Sequence, residues 1–172
     1  TTNILQRIRE LAVQAANGTQ STNNRIAIDS EVLQLLSQID SIATDTDFNG
    51  MRVLSSAQTV TLQSGAMTSQ TLVIAVNGAK TNDLGISAVR VSTMAAAVSA
   101  ISTIDNAINS VTSLRSKFGA YQNRLEFTIN TLAIQQENSS ASESAIRDAN
   151  IAQETIIFTR NQILVSAGTS VL

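Results

Sequence analysis

Cysteine, histidine, proline and tryptophan are all absent from the 172 residues, and each absence removes a class of explanation. Without cysteine or histidine there is no thiol nucleophile, no disulfide and none of the commonest metal and proton-transfer ligands. Without proline, long helices can run unbroken. Aromatic residues make up only 3% of the chain, so a core has to be built from Ile, Leu, Val and Ala, as in helix bundles and coiled coils, rather than around an aromatic-rich ligand pocket. The formal net charge is -2 and the basic residues form no cluster, so neither nucleic acid nor an anionic membrane is an expected partner. The apolar run Leu72 to Val76 is strand-sized, far short of the roughly 20 residues that cross a bilayer. No glycine-rich phosphate loop, Gly-x-Ser-x-Gly elbow or metal-ligand spacing is present, and no catalysis, cofactor or metal is expected.

What is there is helical periodicity, beginning in the first residues. Ile4, Ile8, Leu11 and Ala15 recur at helical spacing along one side of a helix predicted over 3–17, with Gly18 supplying the left-handed position that ends it. Arg7, Glu10 and Gln14 form a polar strip on the other side, with Leu11 at its edge; periodicity alone reads that strip as a solvated helix face. A second helix, over 22–43, carries Ile28, Val32, Leu35, Ile39 and Ile42 as a heptad seam widened by Leu33 and Leu36. The short loop between the two helices predicts an antiparallel αα-hairpin, with Arg25, Asp29 and Glu31 outward.

The period then changes. Asp47-Phe48-Asn49-Gly50 is a turn signal, and alternation in Met51–Val53, Val60–Leu62 and Leu72–Val76 predicts a β region over 51–78. Its centre is a hairpin from Gln58 to Val76 that turns near Gly65 and exits at Asn77-Gly78. From Ser92 the period is helical again. Met94, Val98, Ile101, Ile104, Ile108, Val111, Leu114, Phe118, Tyr121, Leu125, Ile129 and Leu132 step by about 3.5 residues, which predicts one long coiled-coil helix over about 92–138. Asp105, Asn109 and Gln122 lie near this seam, as register-setting polar residues or as flank positions reaching water. Gly119 implies close helix approach. Ser140 to Glu143 has capping-box form and marks a kink or a new helix. The terminal segment, with Ile146, Ala149, Ile156, Ile157, Ile163 and Leu164, has no partner within the chain, so oligomerisation or fraying is expected. The fold class is therefore mainly α: an elongated antiparallel helical bundle or coiled coil with a small β-hairpin region. Thr1 to Leu5 lacks the basic and apolar regions of a signal peptide and no cap precedes Ile4, so the chain is expected to begin inside a longer parent.

The run QRIRELAVQAANGT from Gln6 to Thr19, IDS from Ile39 to Ser41 and DFNG from Asp47 to Gly50 resemble the start of the conserved core of a bacterial flagellin. FGAYQNRLEFTIN from Phe118 to Asn130 and RNQILVSAGTSVL from Arg160 to Leu172 are similar to the carboxy-terminal region of that family. The resemblance implies a conserved rod domain over 1–147 and part of a carboxy-terminal inner-domain helix over 148–172. It also implies that most of the family's first long helix, its leucine-rich extreme terminus and its variable outer domains lie outside this sequence.

For function, the resemblance implies a secreted structural subunit of the flagellar filament that serves motility. Its implied partners are other flagellin subunits, a flagellar export chaperone, the filament cap and the innate immune receptor Toll-like receptor five. The family's receptor-binding and subunit-contact positions fall on Arg7, Leu11 and Glu31, with Gln6, Gln14 and Arg124 in support; an Arg, an exposed Leu and a Glu would anchor the partner. A hook-filament junction protein shares the same helical ends, and a secreted helical adhesin or effector module is the reading outside the resemblance.

Overall fold

The computed structural model describes residues 1–148 and 150–171. Along the chain it forms α1 (Thr2–Ala16), α2 (Thr22–Asp45), β1 (Gln58–Gln63), β2 (Thr71–Val76), α3 (Met94–Arg147) and α4 (Ile151–Val171). Ala149 and Leu172, which the sequence reading places in the terminal apolar segment and in the carboxy-terminal run, lie outside the described residues. The fold is mainly α with one two-stranded antiparallel sheet, in agreement with the expected class. The chain divides into two compact units, Thr1–Glu126 and Phe127–Leu172.

In the first unit α1 and α2 pack on each other and share a core with the first part of α3. α1 buries Leu5, Ile8, Leu11, Ala12 and Ala15, and α2 buries Ile28, Val32, Leu36, Ile39 and Ala43. The seams therefore differ from the expected ones. Leu5 rather than Ile4 is fully covered, Leu36 and Ala43 replace the half-buried Leu35 and Ile42, and Leu33 is exposed. The physical reason is the period: buried positions in α2 step by four, four, three and four, as on a straight helix, and drift off a strict heptad within two repeats.

Two expectations about the α1–α2 junction are corrected. Gly18 is not left-handed, since the glycines with positive φ are Gly50 and Gly85; α1 ends instead on Asn17 in an extended conformation. The free carbonyls are taken by Arg25, which is half-buried rather than outward and donates from Nε to the Ala15 carbonyl at 2.8 Å and from Nη2 to the Asn17 carbonyl at 3.0 Å. A side chain from the next helix thus does the work of a glycine cap. Ser21 caps the start of α2, its Oγ accepting from the Asn24 N–H at 3.2 Å. Arg25→Ala is expected to destabilise the first unit by about 1 kcal/mol, read from the midpoint of urea unfolding.

The β region is smaller than expected. Met51–Val53 is not a strand; Met51 forms only a bridge with Phe48, closed by Asn49 and Gly50, both at positive φ as a two-residue hairpin turn requires. The hairpin itself has the expected limits, with Gln58 opposite Val76 and Gln63 opposite Thr71. One face of it is covered: Leu72 and Val76 are buried and Val60 and Ile74 half-buried, while Thr59, Thr61, Val73 and Ala75 on the other face are exposed. The chain leaves the hairpin through Gly78, where a Cβ would meet the Asp83 carboxylate, which is exposed and can swing aside, and would come within 3.2 Å of the Ser56 Cα, so the tight point is the backbone approach and not an unusual φ.

Residues 79–93 form a strap without regular structure that returns over the helices and fills the core with Ile86, Val89 and Val91. Two carboxylates of α2 pin it. Asp40 accepts from the Thr81 N–H at 2.8 Å and from the Thr81 hydroxyl at 2.8 and 3.0 Å, and Asp29 accepts from the Val91 N–H at 2.6 Å. Asp29 is therefore not outward as expected; it and Asp40 are eleven residues apart, three helical turns, and so lie on one side of α2.

α3 is one long helix, as the periodicity predicts, but its buried seam in the first unit is Ala97, Ala100, Ile104, Ala107 and Val111. Met94 and Val98 are exposed, and Ile101 and Ile108 sit at the margin of the core. The side of α3 that joins the core is thus lined mainly by small side chains, and the larger residues beside them are left outside. Gly119 does not mark a close contact: a Cβ there would meet nothing within 4 Å. Nor does Ser140–Glu143 start a helix. It lies inside α3, where nothing in the sequence breaks the backbone ladder, and the cap of the following helix is Asn150, whose Oδ1 accepts from the Gln153 N–H at 3.3 Å.

The second unit, taken by itself, comprises the end of α3 from Phe127 and α4. None of its described residues is buried. Ile151, Ile156, Ile157, Phe158, Ile163, Leu164 and Val165 of α4 are between 43% and 73% exposed.

Candidate functional site

The sequence-predicted site lies where α1 crosses α2. Leu5, Ile8 and Ala12 turn one face of α1 into the core, which sends Gln6, Arg7, Glu10 and Gln14 to the surface. Arg7 reaches across to α2, donating from Nη2 to Glu31 Oε1 at 2.9 Å and from Nε to the same oxygen at 3.2 Å, and its Nη1 lies 3.4 Å from Glu10 Oε2. The hydrogen bond that Arg7 donates to Glu31 first, and then the charge of Glu31, raise the Arg7 pKa above its ordinary value. Arg7 and Glu31 side chains are both about half exposed, a surface ion pair that adds little to stability but fixes where two charges point. Two residues on, and so on roughly the opposite side of α1, Arg9 faces α3, its Nε 2.6 Å from Asp105 Oδ1. Asp105, placed near the seam by the periodicity, thus has a charged partner rather than a register role within the core; Asn109 and Gln122 are at the exposed surface.

Leu11 is the residue whose expected role changes. It is not an exposed anchor: only 2% of it is accessible, and it stands one turn on from Arg7 along α1 as part of the core. A position that is at once the edge of the polar strip and a member of the apolar stripe is decided by what lies over it, and here α2 lies over it. Arg124 is exposed on α3, 19 residues beyond Asp105 and so about 28 Å further along that helix. The structure therefore brings Arg7, Glu10 and Glu31 together, flanks them with Gln6 and Gln14, and leaves Arg124 apart. Residues the sequence reading passed over are Arg9, which reaches a second helix, and the Asp29–Asp40 pair, whose three-turn spacing was the available signal.

This surface is flat and polar and suits contact with a macromolecule better than chemistry on a small molecule. Among the described residues no group of three acidic side chains could hold a metal ion, and no helix is long and apolar enough to cross a membrane.

Comparison with known proteins assigns the chain to a family. Residues 1–59 match the bacterial flagellin N-terminal helical region, and residues 101–172 match the bacterial flagellin C-terminal helical region. The crystal structure of Bacillus cereus flagellin superposes with a TM-score of 0.62 and 31% identity over 82% of each chain. The chain belongs to the bacterial flagellin family. Among other flagellins, it is 39% identical over its full length to Flagellin FlaB1 of Treponema pallidum and to the flagellar filament 31.3 kDa core protein of Treponema maltophilum. It spans 66% of the length of each of these relatives. The two flagellin matches take in α1 and α2 on one side and α3 from Ile101 through α4 on the other; most of the hairpin and the strap lie between them.

Proposed function

We propose that this flagellin chain is a structural subunit of a secreted bacterial flagellar filament, assembling with further copies through its helices and serving motility. The observation that carries the reading is α4. Large apolar side chains are distributed around α4 among its polar residues, and the exposed Ile, Leu, Val and Phe are stabilised when a partner covers them. A flagellar export chaperone and the filament cap belong to the same reading, as partners that would shield such a surface before assembly. Sedimentation of the purified chain over rising concentration tests it. Assembly beyond the monomer is expected, with Ile156→Asp combined with Ile163→Asp reducing it to monomer. A wild-type chain that stays monomeric at high concentration would sink this route to assembly.

The Arg7–Glu31 surface supports a second role, recognition by Toll-like receptor five. Arg7, Glu10 and Glu31 offer pre-ordered charges, with Gln6 and Gln14 beside them and Arg124 as a separate outlying contact. Leu11 acts from the core, by holding α1 and α2 in register. Arg7→Ala is expected to weaken binding of the receptor ectodomain at least about fivefold, with the helical circular dichroism unchanged. Equal affinity for a folded variant would make these residues ordinary subunit contacts.

A further inference from the structure

The hairpin carries an interaction surface that neither the filament reading nor receptor recognition uses. Between Arg52 and Lys80 the chain has no charged residue, so both strands and their turn are neutral. The sheet has only these two strands, and each therefore has an outer edge. The register shows which backbone groups lie on those edges. The Ser64 N–H donates to the Gln70 carbonyl at 2.8 Å, which makes Ser64 opposite Gln70 a hydrogen-bonded pair. Alternation then assigns 62–72, 60–74 and 58–76 to the bonded pairs and turns the N–H and C=O of Thr59, Thr61 and Gln63 outward from β1. The backbone of these three residues makes no hydrogen bond beyond the hairpin. β1 is also the more open strand: Val60 is half-buried and Leu62 is 37% exposed, on the face where Leu72 and Val76 of β2 are buried.

We propose that the β1 edge pairs with the β1 edge of a second copy of this chain, antiparallel about Thr61, giving a continuous four-stranded sheet. Centred there, the outward groups of Thr61 meet those of the partner's Thr61, and Thr59 meets the partner's Gln63, so that about six backbone hydrogen bonds form. The position between them is a closely spaced pair in which Val60 faces the partner's Leu62, covering the apolar side chains that β1 leaves open. The strand is thus complementary to itself in hydrogen bonding, in apolar contact and in charge, since two neutral hairpins do not repel although the chain as a whole is negative. A contact of one strand is smaller than the roughly 1,200–2,000 Å² of stable complexes, so this pair forms at high local concentration. The inference stands independently of filament assembly, which runs through other residues.

Because the chain has no cysteine, a single introduced thiol reports the geometry. Hydrogen-bonded antiparallel partners lie about 5.5 Å apart at Cα, within disulfide reach. Thr61→Cys is expected to form a disulfide-linked dimer under mild oxidation at least about tenfold faster than Val73→Cys, which is also exposed, on the β2 side. Adding Thr59→Pro removes one outward N–H and no hairpin bond, and should abolish the advantage while circular dichroism stays unchanged. Equal rates for the two cysteine variants, as association through α4 alone would give, overturn the proposal. So does an advantage that survives a folded Thr59→Pro chain.

Discussion

Leu11→Ala is expected to destabilise the Thr1–Glu126 unit by about 2–5 kcal/mol, the range for deleting a fully buried leucine side chain. The side chain lies with Ile8, Ala12, Val32 and Ile39 in one core, and no polar neighbour can follow it inward to fill the space. The loss is read as a lowered midpoint in urea unfolding with an unchanged slope. The same experiment separates two explanations of any weakened receptor binding. Arg7→Ala should leave the unfolding midpoint close to wild type, because its ion pair is half exposed. Leu11→Ala should lower binding only in proportion to the unfolded fraction. If Leu11→Ala left stability intact and still abolished binding, the residue would have to contact the receptor directly, and its burial under α2 would not persist in the complex.

Asp40→Ala is the second large effect, about 2–3 kcal/mol. Its carboxylate receives both the backbone N–H and the hydroxyl of Thr81, and Thr81 is itself buried, so truncation leaves two donors with no acceptor and little access to water. Asp29→Ala should act similarly through the Val91 N–H, and by less because one donor is lost instead of two. The double variant should fall short of the sum, since the strap between Thr81 and Val91 is one segment that is either docked or not. Hydrogen exchange gives the direct check: the amides of Ile86 and Val89, which bond within the strap, should lose protection in either variant while those of α2 keep theirs. Retention of strap protection in Asp40→Ala would show that Ile86, Val89 and Val91 hold the segment by packing alone.

How much of this was legible in the sequence follows from what each signal depends on. The hairpin limits were readable because period two, Gly65 and Asn77-Gly78 are all local. The helices were readable for the same reason, helped by the absence of proline. Which residues the helices bury was less so. Periodicity with large apolar residues selects Met94 and Val98 on α3, yet Ala97, Ala100 and Ala107 face the core, because the side of a helix that is covered is set by what surrounds it and not by the size of its own residues. The site divides in the same way. Arg7 and Glu31 could be nominated from resemblance and were found paired, but the burial of Leu11 depends on the position of α2, and the anchoring of the strap by Asp29 and Asp40 depends on backbone groups 41 and 62 residues away in sequence. Contacts between a side chain and a distant backbone leave no trace in residue type.

The alanine seam of α3 has a mechanical consequence. A methyl group has no torsion to lock and little relief to engage a neighbouring groove, so Ala97, Ala100 and Ala107 offer small resistance to axial shear. Ile104 and, at the end of the seam, Val111 are the larger knobs on this side of the helix. They lie seven residues apart, so a displacement of two turns would seat one knob in the other's socket and leave the remaining socket to a different side chain. The helix is thus indexed against its neighbours in the first unit like a rod held by two detents, with the Arg9–Asp105 ion pair as a third fixing point.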